Sequence, residues 1–453
     1  MNASLDPLRW ALLAALCLAY AAICLAPWWR RRGARSAAAP GDDSATDRAW
    51  VVAYASQTGN AEELAAQTVA LLRLAGIGVQ LSELSALTVD DLMRSERILF
   101  LVSTYGEGDA PDNAAAFCSR CMTAGPALTH LHYAVLALGD RQYKNYCGFG
   151  RDLDRWLTEQ GARALFARIE VDRSALPAIT QWQQHLSHLA GTSDAPDWSA
   201  PEVADWRLAK RQLLNPGSVG APAYHLELEP LGAPLPDWQA GDLVQLCPPS
   251  DPACPREYSI ASIPTDGRLH LLVRLQLNDD GSQGQASGWL STTLAIGDTI
   301  PLRLRAHRGF RLEDNHARPL ILIGNGSGIA GLRAHLKARE RSGQHRNWLI
   351  FGERNAAHDY HYRAQIELWR ASQVVSRLDL AFSRDQPQRL YVQDCLLTQA
   401  EVVRQWVEQG AAFYVCGSLS GMAEGVDIAL AGILGRHELN ALAAGGRYRR
   451  DVY

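Results

Sequence analysis

"WVVAYASQTGNAEEL", residues 50–64, decides how this chain is read. Trp50 to Tyr54 is an apolar run of the kind that forms a buried strand. Ser56, Thr58 and Asn60 follow around a single glycine, Gly59, and a helical pattern opens at Glu62. Strand, polar turn and helix in that order set hydroxyls and backbone N–H groups at a helix N-terminus, where an anion is stabilised. The turn has no lysine. It suits a phosphate monoester that is held and never transferred.

Working outward, short apolar runs alternate with helical patterns up to about Leu189. The expected strands are Ile98–Val102, Tyr133–Leu138 and Leu165–Val171; the expected helices include Ala61–Leu74 and Phe149–Gln160. Such alternation predicts a doubly wound parallel sheet. Ligands of these sheets gather at the carboxyl ends of the strands. Three loops lie there: "SQTGN" (56–60), "STYGEGDAPDN" (103–113) and "LGDRQYKNYCGFG" (138–150). The second and third bring Tyr105, Tyr143 and Tyr146, flat surfaces on which a ring system stacks. One phosphate turn and two aromatic loops point to FMN.

The rest of the chain bounds this reading. Its 453 residues and net charge of −4 predict two or three domains and no nucleic-acid partner. Nine cysteines are scattered, with one C-x-x-C pair, Cys118 and Cys121, inside a helical pattern, so no metal site is expected. Residues 10–29, "WALLAALCLAYAAICLAPWW", carry no charge and match the roughly 20 apolar residues that cross a bilayer. Arg30, Arg31, Arg32 and Arg35 follow at once, whereas a cleaved signal peptide carries its charge before the apolar run. The expectation is one N-terminal transmembrane helix in the inner (cytoplasmic) membrane, single-pass, with the catalytic domains in the cytoplasm.

Beyond the linker "AGTSDAPDWSAPE" (190–202), period-two runs such as His225–Leu228, Leu243–Leu246 and Leu269–Leu275 predict a small antiparallel barrel. From Arg318 the alternation returns, with "LILIG", "WLIFG", "LDLAFS" and "AFYVCG" as buried strands. The domain boundaries expected are an anchor and basic flank at 1–35, a tether at 36–48, a doubly wound α/β domain at 49–189, a linker at 190–205, a barrel at 206–315 and a second α/β domain at 316–453.

Three motifs in order, S-Q-T-G-N-A (56–61), S-T-Y-G-E-G-D (103–109) and L-G-D-x-x-Y (138–143), resemble the flavodoxin family. R-E-Y-S (256–259) with G-Q-A-S (284–287), then G-N-G-S-G (324–328), "FSRDQPQRLYVQD" (382–394) and a terminal "RYRRDVY", resemble the ferredoxin–NADP reductase module. Together they resemble the diflavin reductases, such as the sulfite reductase flavoproteins and the NADPH–haemoprotein reductases, over about residues 49–453. The resemblance makes 49–189 a flavodoxin-like FMN domain, 206–315 an FAD-binding barrel and 316–453 an NADP-binding α/β domain.

The resemblance implies three cofactors. FMN falls to Ser56, Gln57, Thr58, Gly59, Asn60, Ala61, Ser103, Thr104, Tyr105, Gly106, Leu138, Gly139, Asp140, Tyr143, Asn145, Tyr146 and Asp172. FAD falls to Arg256, Glu257, Tyr258, Gly284, Gln285, Ala286 and Ser287. NADPH falls to Gly324, Gly326, Ser327 and Gly328, with Ser383, Arg384, Arg389, Tyr391 and Gln393 as the pocket for the ribose phosphate that tells NADPH from NADH. Ser259, Cys416 and Asp451 match the polar set beside the reacting ring, and Tyr453 the terminal aromatic that shields it.

Three departures stand out. Residues 238–259 run from one barrel motif to the next with no room for the connecting domain of the large relatives. Asn325 and Gly331 stand where the glycine loop usually has prolines, and Ser418 and Gly425 where acids are usual. The implied activity passes electrons from NADPH through FAD and FMN to an acceptor. That acceptor is expected to be a haem or sirohaem protein, including the sulfite reductase haemoprotein. A membrane-anchored ferric or ferric-siderophore reductase is the alternative, and a flavodoxin-like carrier or sensor without turnover the non-enzymatic one. Glu107, Asp109, Asp112, Asp140, Asp152 and Asp154 offer an acidic rim for a basic partner.

Overall fold

The computed structural model describes residues 50–453, apart from 124, 174, 191–202, 253–254 and 279. Strand β1 (Trp50–Ala55) lies between β2 (Val79–Glu83) and β3 (Arg97–Ser103), with β4 (His132–Gly139) beyond β3, all parallel. Alternate residues of β1 feed opposite faces. Val52 joins Leu64, Ala65 and Val69 of helix α1 (Asn60–Leu74) in one cluster. Val51 and Ala53 join Phe149, Leu153 and Trp156 of α2 (Gly148–Glu159) in another. Two apolar faces on one sheet are what helices on both sides require.

The expected strand Leu165–Val171 is split into β5 (Arg163–Ala164) and β6 (Ile169–Asp172), both paired with β4. Tyr133 faces Ala164 and Leu136 faces Ile169, so more residues pass on this side than on β4 and the intervening ones bulge. The bulge lets Phe166 stack on His185 of α3 (Leu176–Ala190), with ring centroids 4.4 Å apart.

The barrel holds β7 (Ala204–Leu213), β8 (Ala223–Pro230), β9 (Leu243–Leu246), β10 (Arg256–Ser259), β11 (Leu269–Arg274) and β12 (Thr299–Arg305), in the order β10-β9-β12-β7-β8-β11. A bridge between Ile260 and Leu271 joins its two ends. β9 and β10 are direct antiparallel neighbours, so nothing large stands between them. The third sheet is wholly parallel: β13 (Leu320–Asn325), β14 (Asn347–Glu353), β15 (Arg377–Phe382), β16 (Ala412–Gly417) and β17 (Tyr448–Val452), in the order β15-β14-β13-β16-β17. Helix α4 (Ile329–Arg341) follows β13. The sheet's direction of winding reverses between β13 and β16, the place where such folds take a dinucleotide.

The inner-membrane, single-pass placement is corrected. No helix among the described residues is long and apolar enough to cross a membrane. The longer apolar helices, α1 and α3, have 15 residues each, about 22 Å at 1.5 Å per residue, against about 30 Å of hydrocarbon. The expected transmembrane helix at Trp10–Trp29, the 1–35 anchor and the 36–48 tether lie outside the described residues, as does most of the 190–205 linker.

Candidate active site

The Ser56–Asn60 turn sits between β1 and α1 with Gly59 at φ 90°, a left-handed conformation that glycine adopts without strain. Ser56 Oγ accepts from the backbone N–H of Gly59 (2.8 Å) and of Ala61 (3.2 Å). The 103–113 and 138–150 loops interlock. A Cβ on Gly108 would lie 2.7 Å from Asn145 Cβ, and one on Gly139 would lie 2.8 Å from the Cys147 nitrogen.

Between these loops opens a cavity of about 360 Å³, of the size that small-molecule sites take. Gln57, Thr58 and Asn60 line one side of it; Ser103, Thr104, Tyr105, Gly106, Leu138, Gly139, Asp140, Tyr143, Asn145 and Tyr146 line another. Arg256, Glu257 and Tyr453 of the second half close the wall. Thr104 Oγ1 and Tyr105 OH are buried here without a partner in the protein. Buried hydroxyls in that state require a polar ligand or water. Burial pushes the Tyr105 phenol far above its ordinary range, so it stays a neutral donor. A phosphorylated ring compound fits this donor set.

Several expected residues serve otherwise. Ser56 and Gly59 line a second cleft, of about 390 Å³, on the other side of Gln57. Asp140 pairs with Arg173 (2.7 Å) and accepts from Gln142 N (2.8 Å), and Asp172 accepts from Arg141 N (3.1 Å). Both shape their loop. Of the expected acidic rim, Asp112 faces Arg450, Asp152 faces Arg155 and Asp154 faces Arg168, so much of that charge is balanced within the chain.

In the second half, β10 delivers Ser259 to Asp451, whose Oδ2 accepts from the Ser259 hydroxyl at 2.7 Å and lies 3.6 Å from Cys416 Sγ. These three expected residues come from three separate elements and meet in the interior. Burial, followed by the Asp451 charge, holds the Cys416 thiol well above its usual range, so it is a donor and not a nucleophile. Burial likewise lifts Tyr258 to about 12. Gly284, Gln285, Ala286 and Ser287 open a short helix away from the shared cavity, and Ser287 Oγ is occupied, accepting from Gln276 N at 3.0 Å. Tyr453 remains 51% exposed, its hydroxyl 3.1 Å from Ser327 Oγ. Its backbone is tied to the end of β16, its N–H donating to the Gly417 carbonyl at 3.1 Å.

The glycine loop is packed against the end of β16. A Cβ on Gly324 would lie 2.7 Å from the Cys416 carbonyl oxygen, and one on Gly328 would collide with that same atom. Asn325 Oδ1 accepts from Ser418 N at 2.9 Å, so the residue standing where a proline is usual ties the two strand ends together. Ser383 and Arg384 follow β15 directly, and Arg384, Arg389 and Tyr391 are exposed along that same edge. Gln393 Oε1 is buried without a partner. Arg274, which sequence reading passed over as one barrel residue among many, reaches the loop: its Nη2 would be 3.0 Å from a Cβ on Gly326, and it pairs with Glu353.

Sequence reading also missed how the halves meet. Arg450 Nε lies 3.0 Å from Asp112 Oδ1, and its guanidinium sits 4.9 Å over the Tyr105 ring. Gln57 Nε2 donates to the Arg450 carbonyl at 2.9 Å. His307 Nε2 lies 2.7 Å from the Gln57 carbonyl, which can only accept, so this nitrogen carries the proton. Arg303 meets Glu63 at 3.0 and 3.3 Å. These partners lie hundreds of residues apart, and no spacing rule could pair them.

Known proteins fit this arrangement. The Flavodoxin family model matches residues 52–181 and the Oxidoreductase NAD-binding domain model residues 322–427. The chain is 29% identical to a sulfite reductase [NADPH] flavoprotein alpha-component of Vibrio cholerae serotype O1, over 90% of this chain and 88% of the relative. It is 28% identical to one of Neisseria meningitidis serogroup B, over 89% of each, and 26% to one of Aliivibrio fischeri, over 89% of each. The Vibrio cholerae alignment spans 543 positions against 453 residues here, so that relative carries segments with no counterpart in this chain. Matched along nearly its whole length by these flavoproteins, the chain joins a flavodoxin domain to an oxidoreductase NAD-binding domain, the arrangement of an NADPH-dependent oxidoreductase with FMN and FAD.

Proposed function

We propose that this chain delivers electrons from NADPH to a haem or sirohaem protein, with the sulfite-reducing haemoprotein partner implied by the names of its relatives as the first candidate. One observation carries the reading. Residues of the flavodoxin loops (Thr104, Tyr105, Tyr143) and of the reductase half (Arg256, Glu257, Tyr453) line a single cavity. Two flavins bound in a common space need no connecting domain to be brought within electron-transfer reach.

Bound FAD supplies the chemistry that turns a two-electron donor into a source of single electrons. The residues supply position and proton control. Thr58 and Asn60 hold the FMN phosphate end, and Tyr105 and Tyr143 flank its ring. Arg256 and Tyr258 hold FAD. Asp451 fixes the Ser259 hydroxyl and the Cys416 thiol in one place, which keeps both protons on known atoms beside the reacting ring. Gly324, Gly326, Ser327 and Gly328 admit the NADPH diphosphate, assisted by Arg274, and Arg384 and Arg389 meet the ribose phosphate. Tyr453 covers the ring face and must leave Ser327 for nicotinamide to enter.

Flavin extraction and NADPH titration test this. Equimolar FMN and FAD, both bleached by NADPH, and sulfite-dependent NADPH oxidation only with the haemoprotein present are expected. A chain that binds FMN and ignores NADPH ends the reductase reading. Full bleaching with no transfer to any haem protein ends the acceptor assignment alone.

A further inference from the structure

The turn that opens this chain's first domain lacks a cation within its own sequence. The barrel brings one to it. Helix α1 has Gly59 as its N-cap, a residue with no side chain to cap it, and Ser56 Oγ takes only the Gly59 and Ala61 N–H groups of this positive end. Strand β12 and its extension run past that end with three arginines. Arg303 is spent on Glu63, and Arg308 lies 3.5 Å from Glu62. Arg305 lies between them and is 5% exposed. Its Nη1 pairs with Glu257, but its Nη2 is buried with no partner in the protein. That nitrogen is 3.6 Å from where Gly59 would carry a Cβ.

Glu257 takes Nη1, but no acceptor in the protein reaches Nη2, which faces the positive end of the helix in the interior. A buried charged donor without an acceptor is costly, and a helix N-terminus beside it adds to the repulsion. One anion at the turn relieves both. We propose that Arg305 is the counter-charge of the phosphate held at Ser56–Asn60, supplied by the barrel across the domain boundary. The inference rests on assigning that turn to the FMN phosphate. It has a consequence for the whole molecule: the phosphate binds the flavodoxin half and the barrel at once, so FMN loading and docking of the two halves are coupled.

The test uses the full chain with FMN and with riboflavin, which has the same ring and no phosphate. Affinities come from flavin fluorescence quenching. Wild type should prefer FMN; R305Q should lose about tenfold or more in FMN affinity with riboflavin binding unchanged, the scale of a lost charge-assisted hydrogen bond. R305K should recover much of the loss. The ratio of the two affinities controls for folding, because a damaged site loses both ligands together. Equal losses for both, or no loss, overturn the role of Arg305. A loss of bound FAD with FMN preference intact also overturns it, placing the guanidinium on the other flavin's diphosphate. A wild type that binds riboflavin as well as FMN refutes the phosphate turn itself, which is a different failure.

Discussion

Replacing Arg450 with glutamine should loosen the flavodoxin half from the reductase half. Arg450 is held by Asp112 through Nε at 3.0 and 3.2 Å and through Nη2, with side-chain exposures of 18% and 19%. Burial opposes its charge, yet Asp112 more than offsets that and raises its pKa. Breaking a fully buried pair costs about 3–5 kcal/mol, because the remaining charge has lost its partner. With a fifth of each side chain wet and Gln57 Nε2 still 3.2 Å from Asp112, the lower end applies, about 3 kcal/mol. Loss of the contact with the Tyr105 ring adds about 0.5–1 kcal/mol. At about 1.4 kcal/mol per factor of ten, the ratio of docked to undocked chains should fall by roughly several hundredfold. Amide hydrogen exchange reads this directly. Peptides covering 103–113 and 303–311 should exchange faster in R450Q by a similar factor, and 320–325 of β13 should not change. D112N/R450Q should exchange more slowly than the sum of the two single effects requires. Wild-type exchange at 103–113 in R450Q, with both flavins bound, would refute the claim that this pair fastens the halves.

Three further outcomes are expected. Gly328→Ala forces a methyl into the Cys416 carbonyl, so NADPH binding should fall at least tenfold while FMN content stays at the wild-type level; calorimetric titration with NADP⁺ reads it. Tyr453→Ser removes the ring and its 3.1 Å contact with Ser327, so NADP⁺ should bind more tightly; unchanged affinity means that the ring is not in the way. His335 is buried with neither ring nitrogen partnered, and burial lowers its pKa from 6.5 to about 3. It is neutral when folded and protonated when unfolded between those values, so the stability it contributes is whole above pH about 6.5 and is lost as pH falls toward 3. The loss approaches 1.4 kcal/mol per pH unit, approximately, and His335→Phe, packed against Phe310 and Tyr414, should flatten the dependence of Tm on pH; an unchanged slope counts against it.

The sequence by itself determined the three sheets and the loops at their strand ends. Period-two and unbroken apolar runs are local properties, and glycine turns at strand ends announce themselves by composition. Leu243–Leu246 and Ala412–Gly417 were legible to the residue for that reason. The bulge at Leu165–Arg168 was not, because it depends on which residues of β4 stand opposite. Tertiary structure alone decided what surrounds the opening turn. Asp112 reads as an acid on a rim until Arg450 is beside it, and "SQTGN" reads as a turn without a cation until β12 places Arg305 behind Gly59. Charges act through space over a few ångströms, whatever the number of residues between them. A chain with no connecting domain has to settle the meeting of its halves by those contacts, and no local pattern encodes them.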